Sequence, residues 1–61
     1  MMIRVGSKLK GYCGGEFGRD SYDDKRVEAV GADWIVAREE DGTPVFAWCS
    51  PDDLMDFLDK D

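Results

Sequence analysis

The side chains able to do covalent or metal chemistry are few, and their spacing works against it. Histidine is absent from the 61 residues, which removes the commonest general base and most triad-type mechanisms. Cys13 and Cys49 are the only thiols. Neither has a histidine to activate it as a nucleophile, and two cysteines without a C-x-x-C pair do not make a standard zinc site. Asp20, Asp23 and Asp24 crowd one segment, but they miss the D-x-[DN]-x-[DN]-G calcium pattern and no glutamate follows at the required spacing. Gly14, Gly15 and Gly18 lack the G-K-[ST] ending and the strand-to-helix setting of a phosphate loop. The expectation is therefore a protein that is not an enzyme, with no metal and no cofactor.

What remains is recognition chemistry. The stretch GYCGGEFGRDSYDDKR, Gly11 to Arg26, fits no secondary-structure period. It mixes aromatic, basic and acidic side chains, the composition of an interaction loop. Phe17, Arg19, Asp20, Tyr22 and Arg26 are its candidate protein-binding residues. The plainer alternative folds Phe17 and Tyr22 back onto the core, turns the chain with Asp20, and leaves Arg19 solvated. A second candidate set, Lys8, Lys10, Lys25 and Arg26, would serve nucleic-acid binding. Trp34 and Trp48 are expected in the core; an exposed Trp48 beside Phe46 would instead make an aromatic binding face.

Charge divides these options. The net charge is −6. Residues 1 to 38 come out at about +1 and residues 39 to 61 at about −7, where only Lys60 is basic. A loose nucleic-acid binder needs a clustered positive field, which the whole chain lacks and only its first half could supply locally. The acidic second half is a solubilising surface or, more pointedly, a mimic of nucleic-acid phosphate. No apolar run is long enough to span a membrane, and MMIRVGSK lacks the apolar stretch of a signal peptide. A cytoplasmic protein with reduced thiols is expected.

The positioning elements follow from pattern. A length of 61 residues predicts a single domain. Strands are predicted over about 2–13, 25–30, 34–38 and 45–49, with a long loop over 14–24. Val27 and Ala29 are expected on one face of the second strand, and Arg26, Glu28 and Val30 on the other. Gly31-Ala32-Asp33 reads as a turn or a bulge, and Asp41-Gly42 as a hairpin turn. Phe46 and Trp48 alternate with Val45, Ala47 and Cys49. Ser50 caps and Pro51 opens a helix over about 51–60, its apolar stripe made by Leu54, Phe57 and Leu58. The fold class is mainly β with one C-terminal helix, either a small SH3-like barrel or a twisted antiparallel meander sheet, ββββα. Its strand edges admit a homodimer as well as a monomer. In SH3-like barrels the first long loop often lines the ligand groove, which favours Gly11 to Arg26 by analogy of fold.

The run GGEFGRDSYDDKRVEAVGADWIVARE, Gly14 to Glu39, resembles small proteins encoded by actinobacterial phages. The shared features are an F-G-R-D-S-Y loop and an opening strand like V-G-x-K-L. The resemblance carries no catalytic or binding residue with it. It implies a phage accessory protein that binds a host protein in the bacterial cytoplasm. The leading expectation is a small non-enzymatic protein-interaction module; the alternatives are a nucleic-acid-binding SH3-like module and an acidic DNA mimic.

Overall fold

The computed structural model describes residues 2–18 and 22–59. Four strands, β1 (Lys8–Leu9), β2 (Lys25–Val30), β3 (Ile35–Glu39) and β4 (Pro44–Ala47), form one antiparallel sheet in the order β1-β2-β3-β4. A mainly β protein with an antiparallel meander is thus what the alternating sequence builds. Leu9, Val27, Ile35, Ala37, Val45 and Ala47 point inward and meet Ile3, Cys13, Phe17, Cys49, Leu54 and Leu58. Among the described residues this is a modest core, mostly aliphatic with Phe17 as its one ring, as expected at this size.

The first strand is far shorter than the predicted span 2–13. Ser7 donates its backbone N–H to the Arg4 carbonyl and accepts from Arg4 N–H through its hydroxyl, so residues 4–7 turn instead of extending. Gly6 and Gly11, on either side of Lys8–Leu9, have positive φ, which regular strand geometry does not accommodate. Backbone bonds between Gly6 and Val27, and between Val27 and Ser7, continue the contact with β2 beyond the regular ladder.

A β-bulge interrupts the β2–β3 pairing between Val27 and Ala29, and it corrects the expected faces of β2. Val27 opposes Ala37, Ala29 opposes Val36, and Val30 opposes Ile35. Ala37 and Ile35 are both core residues. Val27 and Val30 therefore share the core side, and Ala29 lies on the outer side. The extra residue, Glu28, shifts the period by one, which strict alternation does not anticipate. Gly31 belongs to the turn that follows: its N–H bonds the Trp34 carbonyl at 2.9 Å. The next turn is the Asp41-Gly42 hairpin, closed by Gly42 N–H on the Glu39 carbonyl and by Thr43 N–H on the Asp41 carboxylate.

The C-terminal element is a 3-10 helix over Pro51–Phe57, not an α-helix over 51–60. Ser50 caps it, accepting from Asp52 N–H. Asp52, Asp53 and Asp56 are weak α-formers, and the chain must straighten by Leu58, which bridges Leu9 in antiparallel fashion. Lys10 N–H bonds the Phe57 carbonyl and Asp59 N–H the Lys8 carbonyl. The far side of β1 is thus occupied by the end of the chain, and the seven residues of the helix tighten into 3-10 turns to make that reach.

Candidate functional site

Along β4 and on to Cys49 the side chains alternate strictly. Val45, Ala47 and Cys49 are buried, while Phe46 and Trp48 face out. Trp48 is 78% exposed and Phe46 40%, so Trp48 is not the core residue expected of it. Its ring centroid lies 4.6 Å from that of Phe46, edge to face, and Phe46 in turn lies 6.4 Å from Trp34 with the rings nearly parallel. Trp34 precedes β3 and folds over Gly31, where an added Cβ would collide with the indole. Three rings therefore run in contact across one end of the outer face, with Val36, the cross-strand partner of Phe46, beside them.

The other end of this face is ionic. Arg38 donates from Nε to Glu28 Oε2 at 2.7 Å and from Nη2 to Oε1 at 3.2 Å, and its Nη1 bonds the Gly42 carbonyl at 2.7 Å. The Glu28 carboxyl is held below its ordinary range by the hydrogen bond from Arg38, opposed by desolvation and helped further by the Arg38 charge. Glu28 lies at the bulge between Val27 and Ala29, on the same face as Arg38.

The loop candidates disperse. Phe17 is buried in the core, so its ring offers no surface to a partner. Tyr22 is 80% exposed and packs on Tyr12 with centroids 5.4 Å apart. Arg26 is exposed and donates to the Gly6 carbonyl at 2.9 Å. Arg19 and Asp20 lie outside the described residues. Asp24, from the same loop, accepts from Gly11 N–H at 2.9 Å and pairs with Lys8 at 3.5 Å.

The basic set is also broken. Lys25 is 1% exposed, which takes it out of any phosphate-binding surface. Its Nζ donates to the carbonyls of Gly11 at 2.8 Å and Asp23 at 3.0 Å, and it stands 5.7 Å from the centroid of Phe17. Buried ammonium groups persist only where such acceptors replace water. Lys8 and Arg26 are cross-strand partners and Lys10 is exposed. Lys8, Arg26 and Arg4 share a groove with Asp52 and Asp59, so its field is mixed.

One grouping escaped sequence reasoning. The carboxylates of Asp23, Glu39 and Asp41 converge, each offering an oxygen within 4.8 Å of the others; the register Lys25↔Glu39 sets residue 23 opposite residue 41, and only the pairing reveals it. The cross-strand partner of Glu39 is Lys25, which brings a cation to that row. Cys49, like Cys13, is a buried thiol outside any disulfide. Burial pushes its pKa up, and the Glu16 carboxylate adds to the effect, so it is a poor nucleophile.

No family model, curated protein or solved structure matches the chain. Among the described residues no helix is long and apolar enough to cross a membrane.

Proposed function

We propose that the chain is a small non-enzymatic protein-interaction module that engages its partner through the outer-face rings of Trp34, Phe46 and Trp48. The observation that carries this is Trp48: a tryptophan 78% exposed, in ring contact with a second exposed aromatic, on a sheet face that no described element covers. Leaving such surface in water is unfavourable by about 25 cal/mol per Å². Contiguous patches of this kind mark interaction sites, and tryptophan is enriched among residues that dominate binding energy. The burial of both thiols and the absence of histidine support a binding role over a catalytic one.

The scaffold reading is a small SH3-like barrel. Its support is the order of elements: a short first strand, a long loop, a three-strand meander, a 3-10 turn, and a final bridge from Leu58 back to Leu9. Tyr12 and Tyr22, the exposed ring pair on the connection between β1 and β2, form a secondary contact in this reading. The setting proposed with it is a phage accessory protein acting on a host protein, which rests on the resemblance of Gly14 to Glu39.

The test is capture of a partner from nuclease-treated bacterial lysate, followed by the same measurement with Trp48→Ala. Loss of a binding hot spot costs about 2 kcal/mol or more, roughly thirtyfold in affinity. Undiminished capture by Trp48→Ala, with loss on Tyr22→Ala, would move the site to the loop.

A further inference from the structure

The outer aromatic row runs along the last strand of the sheet, and the backbone of that strand has an open edge. Arg38 opposes Pro44, Ala37 opposes Val45, Val36 opposes Phe46 and Ile35 opposes Ala47. Glu39 N–H bonds the Thr43 carbonyl at 2.8 Å, so the hydrogen-bonded pairs of this antiparallel ladder are those of Glu39, Ala37 and Ile35, and the intervening pairs are not. Pro44, which has no N–H to give, falls on a non-bonded pair as it must. Phe46 falls on the next. Its N–H and C=O therefore point away from β3, and among the described residues neither has a partner.

We propose that this edge accepts an extended, cationic segment of another protein as an added antiparallel or parallel strand beside β4, with the segment's outward side chains lying against Phe46 and Trp48. The proposal rests on the aromatic-face reading above and adds the occupant and its geometry. Three observations select that occupant. The first is the edge itself: backbone groups at Phe46 supply main-chain bonds to an extended chain, and the rings of Phe46 and of Trp48 just beyond the strand supply side-chain contacts. The second is charge. From Glu39 to Asp59 the chain carries Glu39, Glu40, Asp41, Asp52, Asp53, Asp56 and Asp59 and no lysine or arginine. Glu40 and Asp41 before β4, and Asp52 and Asp53 after it, are all exposed. The nearest cation on this face, Arg38, is already taken by Glu28. A lysine- or arginine-bearing segment meets complementary charge at both ends of the strand, and its cations can also sit over the indole faces. The third is size. Two rings exposing part of roughly 150–250 Å² each fall well short of the roughly 800 Å² per partner that a stable globular interface buries. A segment that adds backbone hydrogen bonds suits so small a patch, whereas a second copy would bring a second charge of −6 to the same edge.

The experiment is a titration of the full chain, labelled with nitrogen-15, by a capped nonapeptide of alternating lysine and valine, and by its counterpart with glutamate for lysine. The expected result is a saturable shift and slowed solvent exchange of the Phe46 amide, a shift of the Trp48 indole, and at least tenfold weaker binding of the glutamate peptide. Chemical synthesis of the chain with N-methyl-Phe46 removes only the outward donor; it should weaken the lysine peptide about tenfold at an unchanged unfolding midpoint. Unaltered Phe46 exchange at saturation, or equal affinity for the two peptides, overturns the proposal. So does protection of the Phe46 amide that grows with protein concentration alone, which would assign the edge to a second copy. If Trp48→Ala weakens peptide binding while Phe46 exchange never responds, the aromatic face stands and the added strand falls. If Phe46 is protected by the lysine peptide and Trp48→Ala changes nothing, the added strand stands and the aromatic-face reading falls.

Discussion

The indole of Trp34 occupies the space in which a side chain at Gly31 would begin. The two residues are also joined through the backbone, Gly31 N–H to the Trp34 carbonyl at 2.9 Å. The turn between β2 and β3 is thereby tied to the outer aromatic row: glycine leaves the gap, the indole fills it, and Phe46 stacks beside it. Gly31→Ala should displace the ring and destabilise the fold by about 1–3 kcal/mol, the range for overpacking a filled site. The same substitution in a Trp34→Ala background should cost much less. Urea unfolding of the four chains measures the difference, and equal costs in both backgrounds would show that the indole is not what restricts position 31.

Lys25 is a structural cation. Its ammonium gathers the carbonyls of Gly11 and Asp23, each two residues from a strand at either end of the connection between β1 and β2. Lys25→Met keeps the length and loses the donors, leaving buried acceptors without that partner at a cost of about 1–3 kcal/mol. Hydrogen exchange should accelerate at Gly11 through Cys13 before it does in β3. A Lys25→Met chain as stable as the parent would remove this role.

Arg38 governs the titration of Glu28. The carboxyl is depressed by the Arg38 hydrogen bond first, so the favourable interaction is present above the ordinary glutamate range and disappears as pH falls through the depressed value. Both side chains are solvent-exposed and contribute little to stability; the readout is the carboxyl carbon chemical shift. In Arg38→Gln the Glu28 midpoint should rise to the ordinary range. An unmoved midpoint would detach the pair.

Cys49 should be slow to react. Burial raises its pKa, with Glu16 adding to the rise, so near pH 8 the folded protein holds the thiol protonated and enclosed. A disulfide reagent is expected to modify it only at the rate of opening, and denaturant should accelerate the reaction sharply. Because the folded pKa is raised, the corresponding stability is complete below the ordinary thiol range and declines as pH climbs through the elevated value. Cys49→Ala should flatten that alkaline decline. Immediate labelling of the native protein would contradict the enclosure.

Local chemistry was legible where one residue type decides the outcome. Asp41-Gly42 reads as a hairpin and is one; Val45 to Cys49 reads as alternation and alternates; Ser50-Pro51 reads as a helix start and caps one. The misreadings share a cause. Strict alternation misplaces Ala29 and Val30 because a bulge between Val27 and Ala29 inserts one residue into a period of two. The 3-10 helix replaced an α-helix because Leu58 had to reach Leu9, a demand made by a residue far away in sequence. Phe17, a candidate binding residue by sequence, is buried, and Trp48, expected in the core, is exposed: hydrophobicity says that both prefer burial, and it does not say which of them the core has room for.

By itself, then, the amino-acid sequence determined the mainly β class, the alternation along β4, the hairpin and the cap, because each depends on neighbours within a few positions and on steric or hydrogen-bonding preferences those residues carry anywhere. Tertiary structure decided the rest. The core had space for Phe17 and for the stem of Lys25, and it had an outer sheet face for Trp48. Which side chain fills a limited interior is settled only when all elements pack at once, since burial is a competition for shared volume and not a property of any one residue.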